Sequence, residues 1–239
     1  MDGQVTLEMR SGVGVLTLDR PGKHNAITDA MAAQLADHAR AINADDAVRA
    51  VMLRGAGSRA FCAGMDLNAI EAYRTPWDFR HRPDYPGAVR SIRKPVVAAL
   101  KGWALGGGFE MALAADIRVA ARGTRIGFPE VTRGWVGGGG ASQVLPRLVG
   151  PGQAMRLLLT GEQVDAEEAL RLRLVEQVVE DGMEEAAAFG LAVRLAELPP
   201  VAVQAAKAAV RQAMEMPLSA GLAYENEMNV LCLAALRGT

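Results

Sequence analysis

Near the N-terminus, the hydrophobic period of the chain changes from that of a strand to that of a helix. Apolar residues alternate in "VGVLTLDR" (residues 13–20), which predicts a strand that ends in a turn at "PGKHN". Thr28 is the expected N-cap of the helix that follows. Apolar residues then recur at helical spacing: Ile27, Met31, Leu35, Ala39 and Ile42. A second strand is predicted at "VRAVMLRG" (48–55).

The same alternation of strand and helix continues through the middle of the chain. Strands are predicted at "PVVAAL" (95–100) and "DIRVAA" (116–121), with a helix that begins after Gly106 between them. From about residue 150 helical patterns dominate, at residues 152–161, 165–173, 184–198 and 201–214. Parallel βα units explain the alternation, so the sequence predicts an α/β fold with a largely helical C-terminal part.

Residues 74–87, "RTPWDFRHRPDYPG", have neither period and are predicted to form a loop. Such a segment is either a solvated insertion or a lid over a binding site.

Composition and charge exclude several function classes. The 239 residues carry 26 Lys and Arg against 27 Asp and Glu, a formal net charge of −1, so no nucleic-acid or anionic-membrane partner is expected. The two cysteines, Cys62 and Cys232, lie far apart, and the three histidines have no metal-ligand spacing, so no metal site is expected. The N-terminus lacks the apolar core of a signal peptide, and these features together predict a cytoplasmic protein.

Two glycine loops precede predicted helices and could expose backbone N–H groups. They are "FCAGMDL" (61–67) and "LGGGFE" (105–110), and two helix N-termini that converge would form an oxyanion hole. A third segment, "GAGSRA" (55–60), fits a relaxed dinucleotide-binding pattern, but no helix is predicted to begin inside it, so NAD binding is not expected.

Glu110 is a carboxylate among residues that belong in a core. Burial of an unpaired carboxylate costs several kcal/mol. Helix N–H groups or a buried basic residue could satisfy Glu110, or it has a chemical role.

Five segments, in this order along the chain, resemble the signature segments of the crotonase superfamily, the enoyl-CoA hydratase/isomerase family. They are "DRPGKHNAIT", "AFCAGMDL", "KPVVAALKGWALGGGFEMALAADIRVAA", "GFPEV" and "GWVGGGGASQVLPRLVG". The resemblance implies a crotonase-type ββα spiral core with the acyl-CoA site in residues 1–190. It also implies a helical C-terminal oligomerisation region in residues 191–239, which builds a homotrimer or a dimer of trimers.

The resemblance further implies the residues of an acyl-CoA site. The backbone N–H groups of Met65 and Gly107 take the place of oxyanion-hole donors, and Glu110 and Glu130 that of the two catalytic glutamates. The loop that contains Ala63, Asp66 and Leu67 takes the place of the segment that holds the adenine end of CoA. Lys23 stands where relatives place a basic residue near the CoA phosphates. No cofactor is implied, because coenzyme A is part of the substrate.

The activity that this resemblance implies is enoyl-CoA hydration, the reversible addition of water across the 2,3 double bond of an acyl-CoA thioester. Two rigid N–H donors stabilise the enolate-like state, and two carboxylates divide the proton transfers. By resemblance, Glu110 acts on water and Glu130 on the α-carbon. Two alternatives stay open: another reaction of the superfamily, such as double-bond isomerisation, and an acyl-CoA-binding protein without catalysis.

Three features depart from the family pattern. Gly137 and Gly138 stand where relatives commonly have proline, and Lys101 stands where they usually have asparagine. The sequence ends at "LAALRGT", before the tail that many relatives carry and that often helps to cover the CoA or the neighbouring subunit. Candidates to line the acyl pocket are Met65, Ile70, Tyr73, residues 74–87 and Trp135.

Overall fold

The computed structural model describes residues 3–238, which form two β-sheets and ten α-helices. The larger sheet has the strand order β1-β2-β3-β5-β7-β10: β1 (Gln4–Arg10), β2 (Val13–Asp19), β3 (Ala50–Gly55), β5 (Val96–Leu100), β7 (Ile117–Ala121) and β10 (Gln177–Val179). The smaller sheet has the order β4-β6-β8-β9: β4 (Ala60–Cys62), β6 (Trp103–Leu105), β8 (Arg125–Gly127) and β9 (Gln163–Asp165).

The helices alternate with these strands and then dominate the C-terminal part. They are α1 (Asp29–Ala44), α2 (Leu67–Glu71), α3 (Pro76–Arg80), α4 (Tyr85–Arg90), α5 (Gly107–Ala114), α6 (Ala141–Thr160), α7 (Ala166–Arg171), α8 (Glu184–Glu197), α9 (Pro200–Gln212) and α10 (Leu218–Arg237). Two 3₁₀ helices, Pro21–Lys23 and Pro129–Arg133, lie in loops.

The chain repeats one unit three times. In each unit a strand of the larger sheet is followed by a strand of the smaller sheet and then by a helical segment: β3-β4-α2, β5-β6-α5 and β7-β8 with the second 3₁₀ helix. Strands β3, β5 and β7 are parallel to one another, and so are β4, β6 and β8. The three helical segments therefore begin at the same edge of the smaller sheet, because the carboxyl ends of parallel strands lie at one edge.

Several predictions from the sequence are confirmed. Helix α1 begins where expected, with the Thr28 hydroxyl accepting a hydrogen bond from the Met31 N–H at 3.2 Å. The five apolar residues predicted to share one face of this helix region are all buried. The segment "GAGSRA" connects β3 to β4, and no helix begins inside it, as the sequence predicted.

The prediction that residues 74–87 form a loop was wrong in part. Helix α3 occupies Pro76–Arg80, and α4 begins at Tyr85. Each helix starts with a capping side chain and a proline in its first turn: the Thr75 hydroxyl accepts the N–H of Asp78, and the Asp84 carboxylate accepts the N–H of Gly87. These short helices depend on caps, so hydrophobic periodicity did not reveal them.

Helix α8 packs across the larger sheet, and an ionic network fixes its first turn. Ala188, Ala192 and Ala196 are buried against β-strand residues, while Glu185 pairs with both Arg54 and Lys101. This network gives Lys101, where the family pattern has asparagine, a structural role.

The predicted boundary at residue 190 falls inside α8, and the division into two regions stays a prediction. Beyond α8, helix α10 has no buried residue. Within residues 3–238, no individual helix has the length and hydropathy needed to cross a bilayer, although α8 and α9, bent by 113°, meet that criterion as a pair.

Candidate active site

A cavity of about 320 Å³ lies where the repeated units converge. Its walls come from the segment after β4, the first turn of α5, the 3₁₀ helix Pro129–Arg133, the glycine loop 137–139, and residues 79–86. Four predicted residues follow parallel strands of the smaller sheet and line this cavity: Met65, Gly107, Glu110 and Glu130. The β4, β6 and β8 edge therefore brings together residues that are up to 65 positions apart in sequence.

Glu110 is buried in the first turn of α5, and only 4% of it is exposed. Its Oε1 accepts hydrogen bonds from the N–H groups of Gly139 and Ala141, each at 2.9 Å, and Oε2 also lies 2.9 Å from the Gly139 nitrogen. Ala141 is the first residue of α6, so the positive end of this helix faces the carboxylate. A carboxylate accepts about four hydrogen bonds, so these three contacts leave room for one more acceptor contact toward the cavity.

Glu130, unlike Glu110, has a buried carboxyl oxygen, Oε2, without a hydrogen-bond donor among the described residues. Burial raises the pKa of the Glu130 carboxyl, and the charge of Glu110 raises it further, while the Glu130 N–H and the Arg133 charge oppose the shift. Glu130 therefore keeps its proton to higher pH than an exposed glutamate does.

Gly106 is required between the two glutamates. Its backbone has φ +52° and ψ −131°, which favours glycine, and a Cβ there would lie 2.6 Å from Glu130 Oε1. The close approach lets the carboxylate of Glu130 rest against the turn that begins α5.

The N–H groups of Met65 and Gly107 donate no hydrogen bond to any residue in the described range 3–238. The two loops are in contact, since a Cβ on Gly64 would lie 3.2 Å from the Gly107 nitrogen. Gly64 has φ +94°, a backbone conformation that favours glycine, so a glycine is needed where the two loops meet. Two unpartnered N–H groups on adjacent loops are donors of the kind that can bind an anionic oxygen.

Tyr85 lines this cavity and belongs to residues 74–87, which were candidates to line the acyl pocket, but the sequence did not single it out. Its hydroxyl occupies the space beside Gly107, where a Cβ would be only 1.8 Å away. Burial and the neighbouring charges of Cys62, Glu110 and Glu130 raise the pKa of this phenol well above its ordinary value. Tyr85 is therefore a neutral hydroxyl beside the free N–H groups. It lies in the segment predicted to be a loop, and no motif marked it.

The predicted CoA-binding residues divide into two groups. Ala63 and Leu67 line the cavity, whereas Lys23 and Asp66 do not. Asp66 pairs with Arg20 and accepts the Asn68 N–H at 3.0 Å as the N-cap of α2.

Burial alone would raise the pKa of Asp66. Hydrogen bonds from Arg20 and Asn68 and the charges of Arg20 and Lys23 hold it below the usual value. In this structure Asp66 shapes the loop, and Lys23 lies exposed close to it.

Buried Asn25 holds the segment that precedes Met65 in place. Its side-chain amide donates to the carbonyl oxygens of Ala56, Ala60 and Phe61, and its Oδ1 accepts the Arg20 N–H. These bonds attach the "HNA" turn to β4 and so position the segment that carries Met65. Asn25 lies in the resembling segment "DRPGKHNAIT", but no pattern in the sequence pointed to a role for it.

Across residues 3–238, no cluster of three or more His, Cys, Asp or Glu side chains is arranged to hold a metal ion. Residues 8–234 match the family profile described as enoyl-CoA hydratase/isomerase. The chain belongs to the enoyl-CoA hydratase/isomerase family. Its fold, with the ββα units and C-terminal helices described above, is that of the crotonase superfamily, as the sequence predicted.

Relatives in this family resemble the chain over almost its whole length. A 2,3-dehydroadipyl-CoA hydratase of Escherichia coli (strain K12) is 35% identical over 232 residues, which cover 97% of this chain and 91% of the relative. A short-chain-enoyl-CoA hydratase of Clostridium acetobutylicum is 37% identical over 226 residues, covering 93% and 87%. The crystal structure of an enoyl-CoA hydratase from Polaromonas sp. JS666 superposes with a TM-score of 0.93 at 29% identity, covering 99% and 94%.

Proposed function

We propose that this family member is an enoyl-CoA hydratase. The observation that carries the proposal is that Glu110 and Glu130 line one cavity with the unpartnered N–H groups of Met65 and Gly107. The names of the hydratase relatives support the same reaction. Double-bond isomerisation needs a single base, whereas water addition needs assistance at two carbons.

The thioester carbonyl binds with its oxygen between the N–H groups of Met65 and Gly107. When water adds at C3, negative charge develops on this oxygen, and the two backbone donors stabilise the enolate-like state. Loss of one such donor in other enzymes costs about 3 kcal/mol of transition-state stabilisation. The glycines at positions 64 and 106 allow the loops to approach each other and the substrate.

The two glutamates act on different atoms of the reaction. Ionised Glu110 accepts a proton from water as the water oxygen bonds to C3, and protonated Glu130 delivers its proton to C2. The net change adds one water across the double bond and leaves Glu110 protonated and Glu130 ionised. Proton exchange with solvent restores both. Glu110 is suited to the first role because backbone N–H groups hold it as an acceptor, and Glu130 to the second because burial favours its protonated form.

The CoA portion is proposed to lie along the segment from Ala63 to Leu67, with Lys23 near its phosphates. Ala63 and Leu67 line the cavity, and Asp66 is proposed to hold the segment through Arg20 rather than to contact CoA. No cofactor is required, since the thioester itself activates the double bond.

Crotonyl-CoA is the direct test of this function. We expect its conjugated enoyl-thioester absorbance to fall when the protein is added, with formation of 3-hydroxybutyryl-CoA. Conversion of a 3-enoyl-CoA to a 2-enoyl-CoA without hydration would replace the hydratase with an isomerase. Tight binding of crotonyl-CoA without any conversion would identify an acyl-CoA-binding protein.

The assembly is proposed to be a homotrimer or a dimer of trimers. Large apolar side chains are exposed along α9 and α10, among them Val210 (70%), Leu218 (78%), Leu222 (56%) and Leu236 (78%). A soluble monomer rarely leaves such a surface uncovered. Light scattering should give three or six times the monomer mass, and a monomer at micromolar concentration would contradict the proposal.

A further inference from the structure

Arg82 forms part of the wall of the same cavity. Its guanidinium lies over the Phe79 ring, with Cζ 4.3 Å from the ring centroid, and Nη1 donates to the Phe79 carbonyl oxygen at 3.0 Å. The side chain is half-buried. Stacking and the backbone hydrogen bond hold the guanidinium in place, and Nη2 has no hydrogen-bond partner among the described residues.

No carboxylate of the described chain lies within 4.0 Å of this guanidinium. Three other arginines of low exposure each pair with a carboxylate: Arg20 with Asp66, Arg118 with Glu176 and Arg211 with Asp116. The acidic residue closest to Arg82 in sequence is Asp84, whose carboxylate accepts the Gly87 N–H at 2.8 Å as the cap of α4. Arg82 is therefore an oriented cation in the wall of a cavity without an acidic partner of its own.

The glycine loop 137–139 places Arg82 relative to the catalytic carboxylates. A Cβ on Gly137 or on Gly139 would lie 2.7 Å from an oxygen of Glu110, whereas a Cβ on Gly138 would lie 2.0 Å from Arg82 Nη2. Because adjacent Cα atoms are about 3.8 Å apart, the guanidinium lies within roughly 12 Å of the Glu110 carboxylate. After contact distances at both ends, only a few acyl carbons fit between them.

We propose that this site selects short acyl-CoA substrates whose acyl chain ends in a second carboxylate, and that Arg82 binds that carboxylate. This inference rests on the proposed function, because it assumes that the thioester lies at Met65 and Gly107. A guanidinium with a free edge matches a carboxylate in shape and charge. A methyl-ended chain would leave the cation without a partner. Gly138 allows this arrangement, since any side chain there would displace Nη2.

Binding and turnover are measured on two pairs of ligands with equal chain length. The binding pair is adipyl-CoA and hexanoyl-CoA, titrated calorimetrically, and the turnover pair is hex-2-enedioyl-CoA and hex-2-enoyl-CoA. We expect the wild-type protein to prefer the carboxylated member of each pair by at least about tenfold. Arg82→Gln should weaken adipyl-CoA binding by about 10- to 100-fold and hexanoyl-CoA binding by less than about threefold.

Two further variants control for indirect effects. Arg80 also lines the cavity, but its guanidinium is exposed and lies 5.7 Å from the Trp77 ring centroid, so Arg80→Gln should leave the preference unchanged. Gly138→Ala leaves Arg82 present but displaces its tip, and it should reduce the preference for the carboxylated ligands.

The outcomes separate this inference from the proposed function. Equal affinity of the wild-type protein for adipyl-CoA and hexanoyl-CoA would overturn the role of Arg82, even if both enoyl-CoAs are hydrated. Equal weakening of both ligands in Arg82→Gln would overturn it as well and would assign Arg82 to the CoA portion. A preference for adipyl-CoA that Arg82→Gln removes, with no hydration of either enoyl-CoA, would support the carboxylate site and contradict the hydratase.

Discussion

The two glutamates of the cavity have contrasting environments although they serve one site. Glu110 is held by the N–H groups of Gly139 and Ala141 at the start of α6, whereas Glu130 has a buried oxygen with no partner in the described chain. The first environment orients Glu110 as a hydrogen-bond acceptor, and burial in the second favours the protonated form of Glu130. In the proposed mechanism, this difference in the surrounding backbone is what assigns opposite proton transfers to two identical side chains.

The largest expected effect is the loss of hydration when either carboxyl group is replaced. Glu110→Gln and Glu130→Gln should each lower kcat for crotonyl-CoA by about 10²- to 10⁴-fold, because each removes one proton transfer. The affinity for butyryl-CoA should change much less. The double variant should lose less than the product of the two single losses, since the residues act in one step. Parallel losses of affinity and kcat would make them binding residues instead.

Stability should distinguish the same two variants. At position 110 the N–H groups of Gly139 and Ala141 both donate to the carboxylate. A glutamine offers only one acceptor oxygen, and its NH₂ group would face an N–H donor or leave it without a partner. We expect this to lower the free energy of unfolding by about 1 to 3 kcal/mol. At position 130, where the carboxyl interacts with the Glu130 N–H alone and Oε2 has no partner among the described residues, a glutamine should cost less. Urea denaturation of both variants at pH 7 tests this, and equal destabilisation would remove the contrast between the two environments.

The pH dependence of stability should reveal the raised pKa of Glu130. Folding raises this pKa above the ordinary glutamate value of 4.5, so the protonated form stabilises the fold at low pH. That contribution is fully present below pH 4.5 and is lost as pH rises through the folded-state pKa. Glutamine is neutral throughout, so the stability of Glu130→Gln relative to wild type should increase from pH 4 to pH 8. A constant difference between thermal midpoints over this range would contradict the assignment.

The smallest expected effect concerns Tyr85, whose hydroxyl lies beside Gly107 and is influenced by the charges of both glutamates. A neutral hydroxyl there can donate one hydrogen bond to the bound thioester, so Tyr85→Phe should lower kcat/KM by about 2- to 10-fold. Steady-state kinetics with crotonyl-CoA checks this. A loss as large as that of Glu130→Gln would make Tyr85 a proton donor and would weaken the two-glutamate account.

Much of this arrangement follows from the local sequence. Alternating and helical patterns predicted β2, α1, β3, β5, α5 and β7, and the glycine loops indicated where N–H groups would be free. The family resemblance added the roles of Glu110 and Glu130, which no local pattern can assign. The loops that carry Met65 and Gly107 meet because β4 and β6 are adjacent parallel strands of the smaller sheet. The strands of this sheet are only three residues long, which is too short for a hydrophobic period to predict them.

Other features were not predictable because they depend on distant or irregular contacts. The partners of Glu110 lie 29 and 31 residues further along the chain, so the sequence could only require some partner without naming it. Tyr85 and Arg82 belong to a segment with no hydrophobic period, where short capped helices determine the direction of each side chain. A role for such residues emerges only from the folded chain.

The division of labour between the two glutamates is tested most directly by exchange of the C2 protons of butyryl-CoA in D₂O. This saturated ligand cannot lose water, so exchange reports only proton removal at C2 next to the stabilised thioester oxygen. We predict that wild type and Glu110→Gln exchange these protons at similar rates, measured by NMR, and that Glu130→Gln is at least about 100-fold slower. Loss of exchange in Glu110→Gln with retention in Glu130→Gln would contradict the account.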